Sequence, residues 1–447
     1  MTEKISLRKN YIYNLCLTIA NLLFPFITYT YSSRILMPEG MGQVSFASSV
    51  VNYFLMFAQL GIPTYGIRVC AQKKGDRREL TKTAKELIII NVITSVISLA
   101  VLLLSVNLIG RLAEIRTLIL IYSLMIVSSI FEMSWLFGAL EQYEYIAKRS
   151  IIIKAISVAA VFIFIRKSSD TYMYVAIIAA TYVATGIVNF IHARSFIDLR
   201  ERYRYGLRQH IKPIWIFFLM SVATTVYLNL DTLMLGFMTT DAEVGIYNAA
   251  VRIKALLTGV VTALGTVMLP RMSRLIYDRD DAAFLKYAST AMEYIFIIAI
   301  PMALYFMIYS GECILLISGE LYLGGTPAMQ IIMPTLFFIG MTNILGIQIL
   351  VPMGKEKLVL YSEIAGAVTD IILNAIFIPM YGAAGAALGT LFAEIAVFIF
   401  QMYYLRDRIR GIFASISYKK LILSNIFAIC AIILIKYMDF RYIIVKL

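Results

Sequence analysis

The chain has 447 residues, of which 60% are hydrophobic and 15% charged, and its mean hydropathy is +0.81. A soluble domain averages about 45–50% apolar and about 25% charged residues, so this composition excludes one and implies a protein that crosses a membrane many times. The net charge of +13 reads as basic loops facing an anionic leaflet, and no nucleic-acid partner is expected.

Apolar runs of about 20 residues recur along the chain, each long enough to cross a bilayer as a helix. We expect spans at about 11–36, 43–66, 84–109, 115–138, 146–166, 171–194, 212–238, 243–269, 284–309, 327–353, 357–379, 382–405 and 418–438. The runs are continuous rather than alternating, which excludes a β-barrel. The first run is far longer than the core of a cleavable signal, and no small-residue cleavage site follows it.

Loop charges test this division. One set of alternate loops holds Lys4, Arg8 and Lys9, the cluster from Arg68 to Lys85, then Lys148 and Arg149. It continues with the cluster from Arg194 to Lys212, which includes Arg202, then Arg271 to Lys286, Lys355 and Lys357, and Arg406 to Lys420. The opposite loops hold only Arg34, Arg111, Arg116, Arg166 and Lys167 before the last span. The positive-inside rule then puts the N-terminus in the cytoplasm. An odd number of spans leaves the C-terminus outside. The tail "RYIIVKL" starts like a further span and stops, so a fourteenth helix is absent or cut short.

The chemistry of an enzyme is not evident. Cys16, Cys70, Cys313 and Cys430 are scattered without zinc spacing, and His192 and His210 do not form a metal pair. There is no GxxxxGK, HExxH or GxSxG pattern. Neither metal nor cofactor is expected. No loop is long enough for a soluble domain, so function must lie in the helices and their short connections.

The chain repeats itself. "PEGMGQVSFASSV" from Pro38 and "DAEVGIYNAAVRI" from Asp241 place Gly42 on Gly245 and Ala47 on Ala250. The copies lie about 200 residues and six spans apart, which gives them the same orientation, a parallel repeat of the kind found in several transporters. A weaker copy, "YGAAGAALGTLFAEI", begins at Tyr381. Small residues let helices approach closely; packing alone accounts for these glycines, and their repetition suits lobes that rock against each other.

"SWLFGALEQYEYIAKRS", with Trp135, Gly138 and Glu141, resembles an element of bacterial polysaccharide flippases. So do "LNLDTLMLGFMTTDAEVGIYNAAVRI", "VMLPRMSRL", "IPMYGAAGAALGT" and "PEGMGQVSFASS", in the same order between about residues 10 and 410. The chain is thus similar to Wzx-type flippases of the multidrug/oligosaccharidyl-lipid/polysaccharide (MOP) exporter superfamily. The resemblance implies an all-α fold of two pseudo-symmetric six-helix lobes in a V, with further helices. We accordingly expect lobes at 1–210 and 211–410 and an extra membrane segment at 411–447. It also implies the cargo: undecaprenyl-pyrophosphate-linked oligosaccharide moved to the outer leaflet for O-antigen, capsule or exopolysaccharide synthesis. A polymerase and a chain-length regulator are the protein partners it suggests. Other readings are a peptidoglycan-precursor flippase or small-molecule exporter of the same superfamily and, from a different class, a polysaccharide polymerase or ligase. The last would need a long external loop, and none is present.

A flippase must shelter an anionic headgroup inside the bilayer, where a charge costs roughly 2.5–3.5 kcal/mol without a partner or a function. Arg34, Lys154, Arg252 and Lys254 are the candidate cations for the pyrophosphate. Asp231 stands at a depth similar to Arg252 on the neighbouring span and could pair with it. Glu132 and Lys154 are equidistant from a turn near Tyr143 and should meet across it. Asp370 and Glu394 are equidistant from their own turn; they form a H⁺ or Na⁺ coupling site or lie on different faces. Glu141 could pair with Lys148 or Arg149. Arg34 could equally snorkel to the interface.

Overall fold

Helix runs through each expected span in the computed structural model, with short breaks in those at 43–66, 115–138 and 327–353; the structure describes residues 7–437 except 199 and 202, and no strand occurs among them. Lys4, Arg202 and the tail "RYIIVKL" lie outside the described residues. Among the described residues, eight helices are long and apolar enough to cross a membrane, nine if the bent pair Glu320–Ile332 and Thr335–Leu350 is one span. Two of the eight, Cys16–Ala71 and Glu356–Ala414, each hold two expected spans joined at a kink. The protein is a multi-pass α-helical membrane protein.

The chain packs as two units, Met1–Leu233 and Met234–Leu447. The first contains α1 (Leu7–Gln59), α2 (Ile62–Ala71), α3 (Arg77–Leu108), α4 (Gly110–Glu114) and α5 (Arg116–Ser129). It continues with α6 (Ser134–Ala139), α7 (Tyr143–Phe164) and α8 (Thr171–Ala193). Helix α9 (Arg208–Met238) crosses the division. The second unit contains α10 (Asp241–Tyr277), α11 (Asp281–Ile308), α12 (Ser310–Ile317), α13 (Thr326–Ile332) and α14 (Thr335–Thr342). A π-helical stretch, Asn343–Leu350, then precedes α15 (Glu356–Ala414) and α16 (Tyr418–Tyr437).

The repeated small-residue segments mark the breaks between helices. In the first unit, α1 is divided at Met37, whose φ of 62° and ψ of 172° are non-helical, just before Pro38. In the second, α15 is divided at Gly382, with φ 54°. Between them, Thr240 caps α10 by accepting from the Glu243 amide at 3.4 Å. Gly42 and Gly245 are buried, and Ala47 and Ala250 are fully so.

Two copies of the repeat are bonded to each other inside the second unit. Glu243 Oε2 accepts from the Ala383 amide at 2.8 Å, which places a carboxylate at the N-terminus of the second limb of α15, where unsatisfied amides favour an anion. Gly382 must be glycine here: a Cβ would lie 2.5 Å from that oxygen, and its φ is left-handed.

Candidate functional site

The limbs of α15 run beside each other in a register centred on the Gly382 kink. A Cβ on Gly366 would meet Val397 at 2.5 Å, and one on Gly389 would overlap the Asn374 amide and come 3.1 Å from Asp370 Oδ1. That register sets Asp370 opposite Ala393, one position from Glu394. Both carboxylates are buried, at 8% and 2% exposure, and Asp370 faces the seam between the limbs. Asn374 is buried in the seam with it, and the buried Thr390, one turn before Glu394, has its Oγ1 3.1 Å from the hydroxyl of Tyr247 on α10.

In the first unit the expected Glu132–Lys154 pair is not formed. Lys154 donates to Asn21 on α1. Glu132 instead accepts from Ser134 and, at 3.3 Å, from Asn189 on α8. Arg149 donates to Asn189 and, at 3.2 Å, to Ser134. The reason is the position of the turn. Helix α6 ends at Ala139, and Glu141 takes a left-handed φ of 59°, so the chain reverses about two residues before Tyr143. That shift moves the position facing Glu132 from Lys154 to the neighbourhood of Arg149. Arg149 is itself not a loop charge: it is 8% exposed within α7, with its charge delivered to Glu132 through Asn189 and Ser134.

The same turn corrects the expectation for Glu141. It pairs with Lys74 at 3.4 Å, while Lys148 pairs with Glu144. Trp135 is buried, and its ring would stand 2.8 Å from a Cβ on Gly66 of α2. Gly138 sits over Ile67, whose carbons would be 3.4 Å from a Cβ. These motif residues thus join α2 to α6.

A second buried network holds the start of α9 to α2 and α3. Glu86 on α3 accepts from the Gly206 amide at 2.6 Å, Gln209 at 3.1 Å and His210 Nε2 at 2.8 Å. His210 Nδ1 lies 2.8 Å from the Tyr65 hydroxyl. The basic segment before α9 folds onto α3 as well: Lys85 donates to the Glu201 carbonyl and covers the Tyr203 ring at 5.4 Å. Burial and the adjacent Glu201 carboxylate push the Tyr203 phenol up to about 12.

The remaining candidates lie on α1, α9 and α10. Arg34 is exposed, one turn before the Met37 kink. Asp231 is half-buried in α9; Arg252 is exposed and Lys254 half-buried on α10. Among the described residues, no group of three or more His, Cys, Asp or Glu could hold a metal ion. Sequence reasoning missed Glu86, His210, Arg149 and Asn189. Their one signal was polar residues at the ends of apolar runs, which loops also supply.

This fold is that of the MOP-superfamily transporters. It is similar to "Lipid II flippase MurJ, inward closed conformation", at TM-score 0.69 and 16% identity over 97% of this chain and 100% of that one. It is equally similar to an inward-facing multidrug resistance MATE family transporter of the MOP superfamily, at TM-score 0.70 and 16% identity over 90% and 98%. The chain belongs to the polysaccharide biosynthesis protein family, whose profile matches residues 7–276. It is 28% identical to the "Putative O-antigen transporter" of Shigella dysenteriae over 86% of this chain and 96% of that one. The protein of the same name from Escherichia coli K12 is 23% identical over 91% and 98%.

Proposed function

We propose that this protein flips undecaprenyl-pyrophosphate-linked oligosaccharide units from the cytoplasmic to the outer leaflet of the bacterial inner membrane, by alternating access. The product would feed O-antigen, capsule or exopolysaccharide synthesis. The observation that carries this reading is a polysaccharide-family sequence on a fold shared with a lipid-linked-precursor flippase. The N-terminus is cytoplasmic in this reading, the lobes are 1–210 and 211–410, and 411–447 is the added membrane segment. A polymerase and a chain-length regulator are its protein partners.

Flipping needs no covalent chemistry. Arg34, Lys154, Arg252 and Lys254 would neutralise the pyrophosphate, and Asp231 would orient Arg252. The carboxylates Asp370 and Glu394 would hold a coupling H⁺ or Na⁺, since two buried acids brought close together cannot both stay charged unless a cation joins them.

The test is the leaflet on which the lipid-linked unit accumulates in a strain lacking the gene, read with a membrane-impermeant sugar-oxidising or lectin probe. Accumulation on the cytoplasmic side, relieved by the intact gene and not by Arg252→Ala, is the expected result. Unpolymerised units on the outer leaflet would instead point to a polymerase or ligase. The likeness to the lipid II flippase favours one second reading, transport of a peptidoglycan precursor; rescue of a strain depleted of its own lipid II flippase would support it.

A further inference from the structure

The first unit holds a cavity of about 460 Å³ where α1, α2 and α9 meet. It forms because the chain breaks between α1 and α2: Leu60 and Gly61 take left-handed φ values of 44° and 72°. A Cβ on Gly61 would come within 2.5 Å of the Phe218 amide nitrogen, so the glycine lets α2 leave α1 while staying against α9. The volume falls in the range of about 300–1,000 Å³ usual for small-molecule sites.

The lining mixes polar and apolar side chains and carries no charge. Asn52, Gln59, Thr64, Ser221, Thr224 and Asn229 supply amides and hydroxyls, set among apolar walls such as Phe217. Part of this polarity is used to join helices. Asn52 Nδ2 donates to Asn229 Oδ1 at 3.4 Å, Ser49 donates to the Asn229 carbonyl at 2.9 Å, and Asn229 Nδ2 bonds the Thr225 carbonyl at 3.1 Å. Part is not: among the described residues, the Gln59 amide and the Thr64 hydroxyl bond to no protein group. Gln59 is half-buried and Thr64 exposed at this cavity, so both side chains are accessible to a ligand that donates and accepts.

We infer that this cavity is a subsite for an uncharged sugar ring of the transported headgroup, separate from the cations that meet its phosphates. The inference rests on the flippase reading above. A pyrophosphate would find no Lys or Arg in the lining, and an isoprenoid tail would leave the amides without partners. A sugar ring offers hydroxyls to the amides and a C–H face to Phe217.

The experiment uses the purified full chain in nanodiscs and two probes: bare undecaprenyl pyrophosphate, and the lipid-linked repeat unit extracted from the producing strain lacking this gene. Wild type should bind the repeat unit at least about tenfold more tightly than the bare lipid. Gln59→Leu, at a side chain with no internal hydrogen bond, should weaken repeat-unit binding about fivefold to tenfold. The double variant Asn52→Leu, Asn229→Leu should remove the preference, with affinity for bare lipid and the unfolding temperature unchanged. Equal weakening toward both probes, or no change toward either, overturns the subsite. Tighter binding of the bare lipid by Gln59→Lys would assign the cavity to the pyrophosphate and overturn it too. Failure of wild type to bind either probe would overturn the flippase reading itself.

Discussion

The carboxylate of Glu86 and Nε2 of His210 lie 2.8 Å apart at 1% and 4% side-chain exposure, although 124 residues separate them in the chain. Glu86 draws the Gly206 amide, Gln209 and His210 onto one side chain, so the start of α9 is fixed to α3 by a single acid. Removing that acid strands several buried donors at once. We expect Glu86→Ala to lower stability by about 3–5 kcal/mol, the usual cost of breaking a buried pair from one side, and Glu86→Gln to cost about 1–3 kcal/mol. Thermal unfolding of the detergent-solubilised protein measures both; a smaller loss for Ala than for Gln would contradict the network.

The contact of Trp135 with Gly66 predicts an asymmetric pair of variants. Gly66→Ala puts a methyl 2.8 Å from the indole and should cost about 1–3 kcal/mol through overpacking. Trp135→Ala empties the same place and should cost about 3–5 kcal/mol. The double variant should recover part of the sum, because the cavity accepts the methyl. The chain has only two tryptophans, and in Trp215→Phe the emission reports on Trp135 alone.

At the Gly382 kink, Gly382→Ala should be more damaging than an ordinary glycine substitution, since it meets both a left-handed φ and the Glu243 carboxylate. Glu243→Ala should cost about 1–3 kcal/mol by leaving the Ala383 amide without its partner. Combined with Glu243→Ala, Gly382→Ala should cost less than it does alone, leaving only the backbone penalty. Additive losses in a double-mutant cycle would show that the two residues do not act together.

For the acid seam, Asp370→Asn and Glu394→Gln should each leave a folded protein whose transport no longer responds to collapse of the H⁺ or Na⁺ gradient. Leaflet accumulation measured with an ionophore reads this directly. Transport in either variant that stays as ionophore-sensitive as wild type removes the coupling role.

Much of the helical order was legible because lipid demands continuous apolar runs, and each expected span has its counterpart. The breaks were not legible. Leu60 and Gly61 interrupt the span expected at 43–66, Ile130 to Met133 interrupt 115–138, and the span at 327–353 is bent by 44°. Hydropathy is blind to them, because a break surrounded by protein keeps its apolar side chains. Counting residues from a turn placed Asp370 and Glu394 at nearly opposed positions of α15, because the kink is centred at Gly382. The same count failed for Glu132, because Glu141 reverses the chain earlier than hydropathy indicates. Contacts such as Glu86 with His210 join distant segments, and no local pattern announces them.

Glu132, Arg149 and Asn189 lie after α5, on α7 and on α8, three successive pieces of chain. None of these can enter lipid by itself without carrying an acid, a base or an amide that has no partner yet. The hydrogen bonds that join them therefore bear on biosynthesis as well as on the finished fold. The ribosome must deliver residues up to Asn189 before Glu132 and Arg149 are fully shielded, so this stretch would leave the insertion machinery as a group of helices, not one at a time.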